Sequence, residues 1–289
     1  MCAPVSHDRL REERGRASVA DPTRPHDNDV MQTTVEPRPT PSSRADAQWL
    51  RAGLAFVWLA TGLGVLHPYY RQLGAASLAP LGLPPWVMVV TCVGEFLLGL
   101  RVLLGRMDAW LASLQAVLIL GFSVILTATQ PELWLHPLGL LTKNLPLLAI
   151  VVVLWRLDRR GWDALGEWTL RAGMAVIWLT DGFAALFLYG LSLSELARLQ
   201  AFVPFDAATA LRLLGGLAAA SGVAALALRG RSRRIVLLVQ LAVLTAVPVI
   251  ASFADPLLWV HPFGPLTKNV PLLVGTWIAF RGVRPPTEK

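Results

Sequence analysis

The chain has 289 residues, of which 54% are hydrophobic and 16% charged, with a mean hydropathy of +0.53 and a formal net charge of +7. A soluble domain of this size could not cover so much apolar surface, so an ordinary water-soluble enzyme is excluded and an all-α membrane protein is predicted. The basic residues lie singly or in short groups between apolar runs, which reflects membrane topology and excludes a continuous phosphate-binding face, hence nucleic acid as a partner.

Residues 1–48 have no apolar periodicity and carry seven Arg and eight acidic residues, with a Pro-rich stretch at 36–41. They read as a disordered cytoplasmic tail. The tail lacks the charged-then-apolar order of a cleavable signal, so the first apolar run is expected to act as an uncleaved insertion signal, and Met31 is an alternative start. Eight apolar segments follow, at roughly 50–66, 85–104, 109–128, 144–157, 168–190, 207–228, 234–252 and 269–281. Most approach the length of about 20 residues that a helix needs to cross the hydrocarbon. The fourth and eighth, starting at Asn144 and Asn269, reach only about 13–14 residues, roughly 20 Å at the helical rise. To span, they need the segment that precedes them, which is predicted to dip into the membrane interface. The two cysteines, Cys2 in the tail and Cys92 in an apolar run, form no C-x-x-C, which argues against a disulfide framework, a zinc site or a dithiol relay.

The segment L-W-L-H-P-L-G-L-L-T-K-N-L-P-L-L at 133–148 returns at 258–273 as L-W-V-H-P-F-G-P-L-T-K-N-V-P-L-L. Between 131–148 and 256–273, 13 of 18 positions are identical at an offset of 125. The match extends outwards: Leu50 to Gly53 correspond to Leu170 to Gly173, and Trp58 and Gly62 to Trp178 and Gly182, all at an offset of 120. Gly105, Arg106 and Gln115 correspond to Gly230, Arg231 and Gln240 at 125. The five extra residues are therefore expected between the first two helices of the second copy, which sets Ala220 opposite Glu95. The chain is predicted to be two four-helix repeats, 49–157 and 168–282, joined by a linker at 158–167 and followed by a cytoplasmic tail at 283–289. Four helices per repeat is an even number, so eight transmembrane helices form two bundles of parallel orientation. With the N-terminus inside, fifteen basic residues fall on the cytoplasmic side and five (Arg71, Lys143, Arg198, Arg212 and Lys268) outside. This positive-inside bias puts both termini in the cytoplasm and both H-P-x-G-x-L-T-K-N cassettes on the outer face.

Three motifs carry a resemblance. They are R-A-G-L-A-F-V-W-L-A-T-G at 51–62, G-E-F-L-L-G-L-R-V-L-L-G at 94–105, and the cassette. Together they resemble the DoxX-like family of small four-helix bacterial membrane proteins, here in tandem. The resemblance implies a multi-pass protein of the bacterial inner membrane and an association with quinone-linked redox systems. Quinone is then the implied cofactor. The cassette is also similar to a segment that follows NAD(P)-binding epimerase-type domains in other chains. An oxidoreductase or an NAD(P)-binding epimerase-type protein is the implied partner, besides the lipid bilayer. No G-x-G-x-x-G occurs here in a strand–helix context, which excludes dinucleotide binding by that route.

Several residues stand out as candidates. Glu95 and Asp181 fall deep in apolar segments, where carboxyls are costly unless paired, protonated or facing water. Their counterparts, Ala220 and Thr61, are uncharged, so one acid per half allows an asymmetric pair across the repeat interface; the alternative is a protonated Glu bonded to a neighbouring helix. His136 and His261 invite a haem or metal reading, but each precedes Pro in a loop, which favours a turn role, and no metal site is assigned. Lys143 and Lys268 are either snorkelling anchors or contacts for an anion or quinone carbonyl. Asn144 and Asn269 are predicted N-caps, with Pro146 and Pro271 in the first turn and Thr142 and Thr267 beside them. These eight cassette residues form the predicted ligand-binding set. Trp134 and Trp259 fit the aromatic belt, and Gly216, Ala220 and Ala224 form a small-residue stripe for close packing. No nucleophile–base pair is visible, so no catalytic residue is assigned. An accessory or subunit of a membrane redox system is the leading reading, and a small-solute or ion transporter the alternative.

Overall fold

The computed structural model describes residues 41–134, 136, 138–188 and 206–282. Among these residues regular structure is helical throughout: α1 (Pro41–Gly64), α2 (Pro68–Leu78), α3 (Trp86–Leu104), α4 (Ala109–Thr129), α5 (Asn144–Arg160), α6 (Ala164–Phe187), α7 (Ala207–Ala227), α8 (Gly230–Ala254) and α9 (Asn269–Gly282). Three of the long helices, α4, α6 and α7, start where an Asp carboxylate can satisfy an orphan amide. Asp108 accepts from the N–H of Leu111, Asp163 from Gly166 and Asp206 from Thr209. The outer faces keep large apolar side chains in the open, such as Trp110, Val117 and Val124 on α4 and Ile250 and Phe253 on α8. Such a surface is stable against hydrocarbon and not against water.

Five helices (α3, α4, α6, α7 and α8) are long and apolar enough to cross a membrane, and the number rises to six if α1 and α2, bent by 90°, form one span. α5 and α9, with 17 and 14 residues, fall short by themselves, as their sequences foretold. Two expected boundaries change. α1 begins at Pro41, inside the segment 1–48 predicted as tail, because Ser43, Asp46 and Ala47 are buried. The linker predicted at 158–167 shrinks to 161–163: α5 runs on through Arg160, Gly161 turns the chain at φ +73°, and Asp163 caps α6. Residues 1–40, 283–289 and the stretch containing Arg198 lie outside the described residues. α2 was not predicted at all.

The helix pairings recur with the two repeats exchanged. α1 packs along α3 and α6 along α7; α4 lies on α5 and α8 on α9. The repeats are joined the same way twice, α5 against α6 and α9 against α1. Glycines permit the close approaches. A Cβ on Gly53 would lie 3.0 Å from the Cα of Pro271, and one on Gly173 only 2.2 Å from the Cβ of Ala149.

These approaches also correct the register of the duplication. A Cβ on Gly62 would meet the carbonyl of Cys92 and the amide of Phe96, and one on Gly182 would meet the carbonyl of Gly215 and the amide of Ala219, all at 2.7 Å. Gly99 sits on Leu59 as Gly222 sits on Leu179. The second helices therefore align at an offset of 123, so that Ala218, not Ala220, stands opposite Glu95. Three of the five extra residues precede this region and two follow it, before Gln240. The predicted stripe shifts too: Gly215, Ala219 and Gly222 make the close contacts, whereas Gly216 meets nothing within 4 Å and Ala220 is exposed.

Remote from the cassettes, polar contacts tie the helix ends together. The Asp158 carboxylate accepts from Arg51 at 2.6 and 2.7 Å and from the Met107 amide at 2.6 Å. Asp46 accepts from Trp162 Nε1 at 2.9 Å and from Arg281. Arg156 reaches Asp163 and, by donating a hydrogen bond, holds that carboxyl below its usual range.

Candidate functional site

Each cassette is a chain of local consequences. His136 Nδ1 accepts the N–H of Leu138, and His261 Nδ1 that of Phe263, both at 3.2 Å. His67 does the same for Tyr69 at 3.2 Å, a third copy at the corner between α1 and α2. The histidines are therefore turn formers, with the nitrogen nearest the backbone already engaged. Three residues after each cassette histidine, Gly139 and Gly264 adopt φ of +63° and +60°. A Cβ there would lie 2.8 Å from Thr142 Oγ1 or 2.6 Å from Thr267 Oγ1, so only glycine lets the chain fold back over the threonine.

That fold drives the lysines inwards. Lys143 is 5% exposed and Lys268 8%. Lys143 Nζ donates to the carbonyl of Pro265 at 3.0 Å, and Lys268 Nζ to that of Leu140 at 2.9 Å. Each ammonium is thus bound by the other cassette, which removes the snorkelling reading, since a snorkelling head group stays in water. The N-cap assignment is also corrected. The amides of Asn144 and Asn269 already bond to Leu141 O and Leu266 O, so the turn continues and the asparagines are the first helical residues. Their side chains donate instead, Asn144 to Ser123 Oγ and Asn269 to the Pro265 carbonyl, both at 2.9 Å. Trp134 and Trp259 donate to Thr127 and Ser252 at equivalent places in the two copies.

A cavity of about 310 Å³ opens inside the first repeat, between α1, α3 and α4, and is closed by α2. Its walls are largely apolar, with a few converging polar groups: Thr61, Tyr70, Cys92, Glu95, Asn144 and Lys268. Tyr70 and Cys92 are buried, with Oη and Sγ 3.5 Å apart. Glu95 is 8% exposed and faces the interior, as its cost in lipid demands, and its Oε2 has no hydrogen-bond partner among the described residues. Trp58 lines the cavity and donates to Gln115 Oε1 at 2.9 Å behind it. α2 seats closely because Gly74 has no side chain; a Cβ there would come within 1.9 Å of Met88 Sδ.

Lys268 is an electrostatic neighbour of Glu95, and Lys143 of Asp181. Each acid therefore feels the charge of a lysine carried by the other repeat, without a direct ion pair among the described residues. A Cβ on Gly139 would lie 3.5 Å from Asp181 Oδ1, which measures how closely the first cassette approaches the second repeat. Thr142 and Thr267 are both fully or nearly buried, and among the described residues the Thr267 hydroxyl has no hydrogen-bond partner.

Sequence reasoning missed Tyr70 and treated Cys92 only as a thiol without a mate. A signal existed: Tyr70, Gly74 and Leu78 recur every four residues after His67-Pro68, which is one face of a short helix opened by the same His-Pro turn as the cassettes. The DoxX-like family model matches residues 55–152 and again residues 175–277. No curated protein and no solved structure matches the chain.

Proposed function

Because the chain belongs to the DoxX-like family, we propose that it is a multi-span protein of the bacterial inner membrane that binds a quinone in the first-repeat cavity and serves a membrane redox system as an accessory subunit. The observation that carries this reading is the cavity itself, apolar in its walls and polar at one place. Its volume of about 310 Å³ is at the small end of the range typical of ligand pockets. A quinone ring is apolar on its faces and offers carbonyl acceptors at its edge. The Lys268 ammonium and the Tyr70 hydroxyl are donors suited to those oxygens, and the Glu95 Oε2, without a partner among the described residues, fits a hydrogen-bonding ligand. A bound quinone would supply the two-electron chemistry. This chain's residues orient the ring, exclude water and hold protons near the carbonyls. An oxidoreductase or an NAD(P)-binding epimerase-type protein is the proposed source of electrons.

In the proposed topology there are eight spans in two parallel bundles, with α5 and α9 helped across by their cassettes. Both termini are cytoplasmic and the cassettes outward, in keeping with fifteen basic residues against five. The functional test is equilibrium dialysis of purified protein against decylubiquinone. Retention well above that of empty detergent micelles, weakened by Glu95→Gln and Tyr70→Phe, supports the reading; retention equal to the micelles refutes it. A transporter is favoured by a different observation, an acid and a lysine that sense each other's charge in each half of the membrane body, since such groups can couple charge movement to solute passage. Solute-dependent uptake into liposomes, abolished by Asp181→Asn, would select that reading.

A further inference from the structure

The two cassettes are nearly identical, yet each lends its lysine to the repeat that does not carry it. Lys268 and Phe263 belong to the second repeat and line the first repeat's cavity. Gly139 and Lys143 belong to the first repeat and lie against Asp181 of the second. The lysines are held in this exchanged position by the reciprocal bonds to Leu140 and Pro265. The exchange follows from helix packing, because α9 leans on α1 and α5 on α6. Each cassette is therefore delivered to the mouth of the opposite bundle.

We infer that the quinone site proposed above is assembled from both repeats: Lys268 of the second repeat supplies the cation that pairs with Glu95 of the first and meets a carbonyl oxygen of the ligand. A pseudo-equivalent pair, Lys143 with Asp181, is wired in the opposite sense. The ligand end of this inference rests on the proposed quinone reading; the wiring does not. Lysine has three donors, and among the described residues Lys268 makes one hydrogen bond, to Leu140. The buried ammonium lines the same cavity as Glu95, and its remaining N–H donors are open to a ligand acceptor there. Lys268 is thus a binding residue for the first site, whereas Lys143 is not. A reading confined to one repeat would assign them the other way round.

The test uses the full-length protein in detergent. Thermal melting is measured for Glu95→Gln, Lys268→Met, Lys143→Met, and the doubles Glu95→Gln/Lys268→Met and Glu95→Gln/Lys143→Met. Exchanged wiring requires the first double to melt no lower than its worse single, because one interaction is removed twice. The second double should show the sum of its singles. Additivity in both doubles, or coupling only to Lys143, overturns the inference. If Lys268→Met does not fold, Lys268→Arg and Lys268→Gln take its place, with coupling expected in the Gln series alone. Decylubiquinone affinity should fall about tenfold or more in Lys268→Met, the worth of a hydrogen bond to a charged group, and stay within about twofold in Lys143→Met. Loss of affinity in Lys143→Met alone also overturns the inference. If the native protein binds no quinone, the functional reading fails, while the melting cycles still decide the wiring.

Discussion

Replacing Asp158 with Ala removes the acceptor on which three parts of the first repeat converge. Its carboxylate binds the Arg51 guanidinium of α1 at 2.6 and 2.7 Å and the Met107 amide in the turn before α4 at 2.6 Å. The ion pair is only partly shielded, with side-chain exposures of 16% for Arg51 and 8% for Asp158. Breaking a fully buried pair costs about 3–5 kcal/mol, and solvent at the Arg51 side reduces this to about 2 kcal/mol. The Met107 amide, on a residue 2% exposed, adds about 1 kcal/mol as an unsatisfied buried donor. The expected loss is about 3 kcal/mol, a shift of about a hundredfold in the folded-to-unfolded ratio. Asp158→Asn keeps an oxygen for the amide and should cost about half as much. Unfolding by SDS in mixed micelles, followed by tryptophan fluorescence, measures both variants. A loss below about 1 kcal/mol for Asp158→Ala, or no difference between Ala and Asn, would refute the reasoning.

Gly139→Ala and Gly264→Ala should each destabilise by about 1–2 kcal/mol, since a Cβ must enter a positive-φ position and crowd the threonine hydroxyl; equal or higher melting temperature would contradict the turn geometry. The Asp163 carboxyl is held below its usual value of 3.8 by Arg156 and the Gly166 amide. A depressed folded-state value means that its stabilisation is full above the unfolded value of 3.8 and lost as pH falls from there through the folded value. Melting curves from pH 7 to pH 3 should therefore converge for wild type and Asp163→Asn at the acid end and separate at neutral pH; parallel curves would show that the contact carries no stability. In a background without Cys2 and Cys92, cysteines at Glu132 and Leu257 should react with a membrane-impermeant thiol reagent from outside. Labelling only after lysis would reverse the proposed topology.

Much of the helical layout is legible in the sequence because lipid-facing helices are continuous apolar runs, and the cassettes declare themselves by repetition in so apolar a chain. The failures are local and physical. α2 is missed because its eleven residues mix Tyr, Arg, Gln and Gly, too polar for a span and too short for a clear period. The register slips by two because α7 is rich in alanine and leucine, so that only backbone contact, such as Gly222 on Leu179, distinguishes one alignment from the next. Asn144 and Asn269 suit an N-cap by residue type, yet the preceding turn already uses their amides. The exchange of cassettes could not be read from the sequence at all. Two nearly identical segments look the same whichever bundle they serve, and only the packing of α9 on α1 and α5 on α6 breaks the tie.

The contacts of Asp46 reach beyond stability. That residue, near the start of α1, holds both Trp162 in the short connection between repeats and Arg281 near the end of α9. The beginning of the helical body, its end and its midpoint therefore meet at one place. Covalent order is then close to arbitrary: cutting the chain at 161–163 and joining residue 282 to residue 41 by a short spacer gives a circular permutant in which the second repeat is translated first. All the helix pairings survive on paper, including the reciprocal lysine bonds. The gene's head-to-tail order is one of two equivalent ways to thread the same body, and what makes it one body is the meshing of the halves rather than the peptide that joins them.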